Sequence, residues 1–568
     1  MPRDLCPKDL VSAMKSLLFK RIFLNRYLLA AIAGLVLAAA FPKLSVAGFA
    51  WIAPGLILFC GIGQTGRQKF WIGFAAGVAH FLVSLYWLLS IPFPAGAVAG
   101  WLALSAYLSL YPAVWVWLCW RVFSRLVTES EPALVQADSD SRGAEIFLRT
   151  TWKQRAVWAI ACAAIWVALE MVMARMFSGF PWNFLGITQY KILPLIQISS
   201  FTGVYGVSFL LVWFAVSLCT TGCLLVQKPQ SSRVWFAEIA VPGIVVALVF
   251  NFGLNQFKRN DPPARQLKVA LVQPSIPQTL IFDPSQGDTR FERLIELSEK
   301  ALAEKPDVLI WPEASMPPLD EAKFSTITNL IVTHHVWMIF GADDAAIREA
   351  PGGGLETNYF NSSFLFAPGG RAVATYRKRR LVIFGEYVPL VRWLPFMKWL
   401  TPIDGGFTPG EGPVPFQIES PRARTTTLIC FEDAFPQYVR EHVETDTDFL
   451  LNLTNDGWFG NGAAQWQQAV NAAFRAVENG LPMVRCTNNG LTCWIDKFGR
   501  LRKFYSDETG DVYSRGFLIA EIPLLPLGEK REPTFYRLHG DWFGWSCVTA
   551  AVALCFLSRK SRVVTKST

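Results

Sequence analysis

The chain has 568 residues, too long for one ordinary core, so at least two domains are expected. Hydrophobic residues make up 52% and charged residues 17%, a balance that excludes an ordinary large soluble protein and points to membrane spans. The net charge is +9, but the basic excess lies in the N-terminal tail, in short loops and in the last ten residues. That distribution fits a membrane-facing role and argues against a nucleic-acid groove.

Residues 22–257 form a succession of apolar stretches, near 23–41, 46–62, 70–91, 97–120, 155–174, 193–226 and 234–256. Each can cover a hydrocarbon core of about 30 Å at about 1.5 Å per residue, the shortest only just. Residues 542–558 make an eighth. The first stretch is too long for a signal peptide and lacks a small-residue cleavage site, so it reads as an anchor. With the N-terminal side in the cytoplasm, the basic residues fall on the inner side of each turn: Arg3, Lys8, Lys15, Lys20, Arg21 and Arg26; Arg67 and Lys69; Arg121 to Arg155; Lys228 and Arg233; and Arg559 to Lys566. The outer loops hold little beyond Lys43, Arg175 and Lys191. The positive-inside rule therefore predicts eight crossings, residues 258–541 outside, and both termini in the cytoplasm. His80 and Glu170 are the ionisable groups worth naming within the spans; either could line a lipid path or simply reach the interface.

The 258–541 block reads as an α/β domain, with 258–266 as linker. Short apolar runs recur at 267–273, 307–313, 336–342, 361–367, 425–431 and 448–454, with helical patterns at 288–304 and 464–480. Runs apolar on both faces suit central strands covered by helices. Of eleven cysteines only Cys430, Cys486 and Cys493 lie in this block. That is no disulfide framework, though a Cys486–Cys493 bridge stays open. Neither a zinc motif nor a His-rich metal site is visible, and no cofactor is expected.

Three strand ends carry chemistry-bearing residues. "LIWPEAS" places Glu313 just past a buried strand; "YRKRRLVIFGEYVP" offers Lys378 and Glu386; "LICFED" offers Cys430 and Glu432. In open α/β sheets reactive groups gather at strand ends and the loops after them. Taken singly, each has a bland reading: a helix cap, a solvated basic run, a core cysteine, half of an ion pair. Alternation along an extended strand would put Cys430 and Glu432 on one face and turn Asp433 away, unless the chain bends after Cys430.

Together, and in this chain order, Glu313, Lys378 and Cys430 resemble the Glu-Lys-Cys triad of the nitrilase, or carbon–nitrogen hydrolase, superfamily. Spans followed by such a domain and one closing span resemble the bacterial apolipoprotein N-acyltransferase family. "QPSIPQTLIF" (273–282), "LVIFGEYVP" (381–389), "NLTNDGWFG" (452–460), "RCTNNGLT" (485–492) and "GFPWNFLG" (179–186) are similar to that family's segments. The resemblance implies a polytopic α-helical membrane body of about eight transmembrane helices plus an extracytoplasmic nitrilase-like α-β-β-α sandwich. Its expected boundaries are 1–21 (tail), 22–257 (seven spans), 258–541 (catalytic domain), 542–558 (last span) and 559–568 (tail).

By residue, the resemblance implies Glu313 as base, Lys378 as oxyanion stabiliser and Cys430 as nucleophile. Glu386 and Glu432 become supporting carboxylates, Trp458 lines the pocket region and Trp182 lies on the membrane-side loop. Phe282 stands where the family often has Trp, Phe431 where Tyr is common, and Ile383 where Pro is usual. Aromatic for aromatic keeps a stacking surface and removes an N–H or O–H donor.

The implied reaction moves an acyl chain from a membrane phospholipid to Cys430, then to the α-amino group of a lipoprotein's diacylglyceryl-modified N-terminal cysteine. The implied setting is a monomer in the bacterial inner membrane, its catalytic domain periplasmic, without nucleic acid. Residues 391–403, "VRWLPFMKWLTPI", suit an interfacial loop. A membrane-tethered amidase or nitrilase that uses water shares the acyl-enzyme; a non-catalytic scaffold is opposed by the complete triad.

Overall fold

The computed structural model describes residues 25–130, 142–227, 232–258, 265–281, 283–314, 316, 320–349, 354–389 and 406–556. Phe282, the loop 391–403, most of the 258–266 linker and the basic residues of both tails lie outside the described residues.

The apolar stretches fold as helices: α1 (Arg26–Ala39), α2 (Ala53–Phe59), α3 (Gly66–Ser84), α4 (Pro94–Ser130), α5 (Trp152–Met173), α6 (Val204–Gln227) and α7 (Ser232–Gln256). Thr65 and Thr151 start α3 and α5 as capping boxes closed by Gln68 and Gln154, which satisfies N–H groups that the helix itself cannot pair. Among the described residues four helices are long and apolar enough to cross a bilayer, those at Pro94–Val127, Trp152–Met173, Val204–Val226 and Phe236–Gln256.

Two expected spans look different in detail. Residues 46–62 form a 3-10 turn, Ala47–Trp51, followed by the seven-residue α2. Residues 193–226 break into the short helices Leu193–Ile196 and Ser199–Thr202 before α6 begins. The break is at Gly203, whose φ of +68° favours glycine and where a Cβ would sit 2.7 Å from the Tyr536 ring. Arg155, expected among loop cations, is instead buried in α5 and paired with Glu238 of α7 at 2.6 Å. A charge so placed is tolerated only with such a partner.

The described residues of the second half hold twelve strands in two six-stranded sheets. The first sheet has the order β12 (Gly516–Leu524), β1 (Arg265–Gln273), β2 (Val308–Ile310), β3 (Trp337–Glu349), β4 (Leu355–Phe366) and β5 (Ala372–Arg377). The second has β11 (Leu501–Phe504), β10 (Cys493–Ile495), β9 (Met483–Thr487), β8 (Phe449–Thr454), β7 (Arg422–Ile429) and β6 (Pro415–Glu419). The centres are parallel, β1–β2–β3 and β7–β8–β9, and the edges antiparallel. Side chains such as Leu267, Val269, Ile310, Ile339, Ile429, Leu451 and Val484 fill the space between the sheets. The other face of the first sheet is covered by α8 (Gly287–Leu302) and α9 (Glu321–His334).

The other face of the second sheet is covered by α10 (Ala464–Asn479), and here the layers reach the membrane body. Apolar residues of α10, of the second sheet and of α1 to α6 belong to one continuous core. Fifteen of the sixteen residues of α10 are buried, including the polar face. Buried polar groups need partners, and this face finds them in loops and helix ends of the membrane body. Gln467 donates to the carbonyls of Pro42 (2.9 Å) and Ser84 (3.1 Å) and accepts from the indole N–H groups of Trp87 (3.1 Å) and Trp182 (2.7 Å). Glu478 accepts from the backbone N–H of Val204 at 2.9 Å. The final helix α11 (Trp542–Phe556) packs against α5.

Candidate active site

β7 ends at Ile429, and the next residue, Cys430, takes φ +57°. A non-glycine residue in this region stores about 1–3 kcal/mol unless its surroundings hold it there. They do: the Cys430 carbonyl accepts from Asn452 Nδ2 of β8 (2.8 Å) and from Gln468 Nε2 of α10 (2.9 Å). The chain then turns through a 3-10 segment, Cys430–Ala434. The bend removes the strand alternation, so Glu432 does not share a face with Cys430 as it would in an extended strand.

Glu432 is fully buried and accepts on every side. Its partners are the N–H groups of Ile429 (2.8 Å), Arg379 (2.9 Å) and Arg380 (3.0 Å) and the hydroxyls of Tyr438 (2.6 Å) and Tyr376 (2.9 Å). It therefore ties the segment carrying Lys378 to the turn carrying Cys430. Asp433 is ion-paired with the buried Arg485, and burial pushes its carboxyl up to about 6.

Glu313 lies three residues beyond the end of the central strand β2, and Lys378 directly follows the edge strand β5. Lys378 Nζ donates to Glu386 Oε1 at 2.8 Å and to Glu313 Oε1 at 3.2 Å. Asn361, on β4, bridges the same carboxylates: its Nδ2 donates to Glu313 at 2.7 Å and to Glu386 at 2.9 Å, while its carbonyl accepts the Lys378 N–H at 2.8 Å. The second oxygen of Glu313 accepts the Asn455 N–H at 2.9 Å, and that of Glu386 the Val382 N–H at 2.8 Å. All four residues are buried.

One ammonium thus faces two carboxylates in a site closed to water. Burial raises the Glu313 carboxyl, Lys378 opposes the rise and Glu386 adds to it. Burial works against the charge on Lys378, but Glu313 and Glu386 outweigh it and hold the ammonium well above the usual lysine range. The Cys430 thiol is pushed well up, first by burial and then by Glu313, with Lys378 pulling the other way. This setting favours the thiol form of Cys430, a Glu313 carboxyl of raised basicity and a fixed ammonium on Lys378.

Of the other expected residues, Phe431 is in contact with this centre. The Phe431 ring lies under Lys378 Nζ, 5.9 Å from its centroid, and meets the Phe435 ring edge-on at 5.3 Å. Trp458 is half-buried in the turn Asp456–Phe459 that follows β8. Trp182 is buried where the membrane body meets α10 and acts through Gln467, while the neighbouring Gln468 holds the Cys430 carbonyl. Glu170 anchors this loop, accepting from the Leu185 N–H at 2.9 Å. Cys486 and Cys493 are separate buried thiols, leaving no bridge between them. Among the described residues no three His, Cys, Asp or Glu side chains are grouped to hold a metal ion.

Asn361, Gln468 and Tyr376 are not singled out by the sequence, and Asn452 and Arg485 enter it only as the first residues of two family-similar segments; the fold brings each to the centre. "NSSFLFA" reads as a strand; nothing in it says that Asn361 pairs with Asp343 on one side while its neighbour Ser362 pairs with Arg377 on the other.

Both halves of the chain are similar to known proteins. Residues 33–217 match the apolipoprotein N-acyltransferase N-terminal domain, and residues 268–531 the carbon-nitrogen hydrolase family. The chain is 33% identical over 550 residues to an apolipoprotein N-acyltransferase of Geobacter metallireducens, covering 94% of this chain and 96% of that one. It is 28% identical to one of Rickettsia prowazekii (76% and 79% covered) and 29% identical to one of Vibrio vulnificus (86% and 90% covered). A solved amidase of the nitrilase superfamily from Nesterenkonia covers 46% of this chain and 92% of its own, at 16% identity and a TM-score of 0.34, which is a loose likeness and no more. With one third of its residues shared across nearly the full length of a relative, the chain belongs to the apolipoprotein N-acyltransferase family.

Proposed function

We propose that the chain N-acylates apolipoproteins through a thioester on Cys430. The observation that carries this reading is the buried Glu313–Lys378–Glu386–Asn361 cluster at the strand ends beside the Cys430 turn, in a domain packed on apolar helices.

In the first half-reaction Glu313 takes the Cys430 proton as the sulfur attacks an ester carbonyl of a membrane phospholipid. The oxyanion that forms is held by Lys378 and a backbone N–H. Collapse breaks the ester C–O bond, and the leaving lysophospholipid oxygen takes the proton from Glu313. In the second half-reaction the free α-amine of a diacylglyceryl-modified N-terminal cysteine attacks the thioester, gives a proton to Glu313 and expels the thiolate, which is reprotonated. Glu386 and Asn361 keep Lys378 and Glu313 in register, and Glu432 keeps the two loops together. Phe431 and Trp458 border the acyl site, Phe282 joins them on the sequence pattern, and Trp182 braces α10 from the membrane side.

The distribution of Lys and Arg supports eight crossings, with Ala47–Phe59 as a broken one, both termini in the cytoplasm, and the 258–541 domain on the outer face of a bacterial inner membrane. The same pattern supports 22–257 and 542–558 as the spanning regions and 1–21 and 559–568 as tails.

The test supplies the full chain with acyl-labelled phospholipid and a diacylated lipopeptide bearing a free amine. Label in amide linkage on the lipopeptide, lost with Cys430→Ala, is expected. Label released only as free fatty acid would assign a hydrolase instead.

A further inference from the structure

The basic run after Lys378 is not consumed by the chemistry above. Arg379 and Arg380 give their backbone N–H groups to Glu432, which fixes where their side chains start. Both side chains line a cleft of about 410 Å³ between the membrane body and the catalytic domain. Arg380 stacks on Phe435 (4.8 Å) and donates to the Ser178 carbonyl (2.9 Å); Arg379 stacks on Tyr438 (5.0 Å).

The charge around the cleft is unevenly spent. Arg175 also lines it but is tied to Asp541 in an ion pair. Glu411 is engaged by Arg348 at 2.7 Å. Arg379 reaches Glu441 only at 3.9 Å, and its buried Nη1 has no hydrogen-bond partner among the described residues. Arg380 has no carboxylate partner among the described residues. Two guanidinium groups therefore face the cleft with donor capacity to spare, their planes set by aromatic rings.

The position of the cleft identifies its occupant. Ala174 and Arg175 come directly after the C-terminal end of α5, and Asp541 directly before α11, so the cleft opens where two apolar helices end. That is the level of lipid headgroups in a bilayer. Its Phe435 wall is linked to the reaction centre through Phe431: only two ring contacts, of 5.3 and 5.9 Å, separate Phe435 from Lys378 Nζ.

We propose that Arg379 and Arg380 bind the phosphodiester of the acyl-donor lipid, so that its ester carbonyl, a glycerol away, reaches Cys430. The proposal rests on the acyl-transfer reading and adds the group that recognises the donor. The bidentate fork of arginine suits a singly charged phosphodiester, while the exposed Glu441 beside Arg379 opposes a doubly charged phosphate.

The test compares Arg379→Gln/Arg380→Gln with the unaltered full chain in detergent micelles. Cys430 loading is followed from acyl-labelled phosphatidylglycerol and from p-nitrophenyl palmitate, a donor without phosphate. The half-saturating phosphatidylglycerol concentration is expected to rise about tenfold or more, with maximal rate held within about twofold, and the loss is expected to be about tenfold greater than with the ester. Glycerophosphoglycerol is expected to compete with the phospholipid in the unaltered chain and not in the variant. Equal losses with both donors would make the arginines supports of Cys430 and overturn the proposal. Inorganic phosphate competing as well as the diester would make the cleft a free-phosphate site and would overturn it equally. An unaltered chain that loads from neither donor would instead remove the acyl-transfer reading itself.

Discussion

Asn361→Ala is the sharpest perturbation of the centre, because a neutral residue with no chemistry of its own holds both carboxylates. The substitution removes the 2.7 Å bond to Glu313 and the 2.9 Å bond to Glu386 and leaves the backbone bond to Lys378 in place. A hydrogen bond to a charged group is worth about 1.5–3 kcal/mol, and the two share Lys378, so their losses do not simply add. If one such bond is lost from the orientation of the base, loading slows about 10- to 100-fold, at about 1.4 kcal/mol per factor of ten. Asn361→Asp keeps the size but gives a single ammonium three carboxylates to face, and is expected to load more slowly still. The assay is the initial rate of hydroxylamine-sensitive thioester on Cys430 from labelled phospholipid, with thermal melting to confirm a folded protein. A folded Asn361→Ala protein that loads within about twofold of the unaltered chain would refute the reasoning that the bridge positions Glu313.

Burial and Glu313 hold the Cys430 thiol well above the ordinary range, so without donor its alkylation by iodoacetamide should climb with pH beyond 9. A plateau with a midpoint below neutrality would contradict a protonated resting thiol. Asp456 is raised by burial to about 7, against an unfolded value in the ordinary carboxylate range. The folded state then holds a proton that the unfolded state has released, so this group's stabilisation is present at low pH and lost as pH rises through about 7. Asp456→Asn should remove at most about 1.4 kcal/mol per pH unit from that slope; an identical slope in melting curves would contradict the assignment. Glu432→Gln turns an NH2 toward at least one backbone N–H that needs an acceptor, and should cost about 2–4 kcal/mol of domain stability together with most of the loading. Full loading at an unchanged melting temperature would show that Glu432 does not couple the two loops.

The parts legible in the sequence are those whose local signal matches their role. The six apolar runs form β1 to β4, β7 and β8, and the two periodic segments form α8 and α10, because burial on both faces or on one face writes itself into spacing. β5, β6 and β9 to β12 carry no such signal: Leu501–Phe504 is wholly exposed and Ala372–Arg377 mixes polar and apolar residues without a clear alternation. The geometry places Glu313, Lys378 and Glu386 in one cluster, as strand-end positions allow. The bend at Cys430 lies beyond the sequence, since only the carbonyl donors of Asn452 and Gln468 make a left-handed cysteine tenable. The polar face of α10 has the spacing of a solvated surface. It is instead a buried interface, because Gln467, Asn471 and Glu478 find their partners in loops hundreds of residues earlier in the chain. Arg155 reads as a loop cation for the same reason: its partner, Glu238, sits on another helix.

The most direct test of the account is the mass of the intact chain after incubation with a phospholipid of defined acyl chains and no acceptor. One added acyl group is expected, located on Cys430, removed by neutral hydroxylamine and by a lipopeptide amine, and absent in Cys430→Ala. An acyl group on any other residue, or none on a folded chain given its donor, would contradict it.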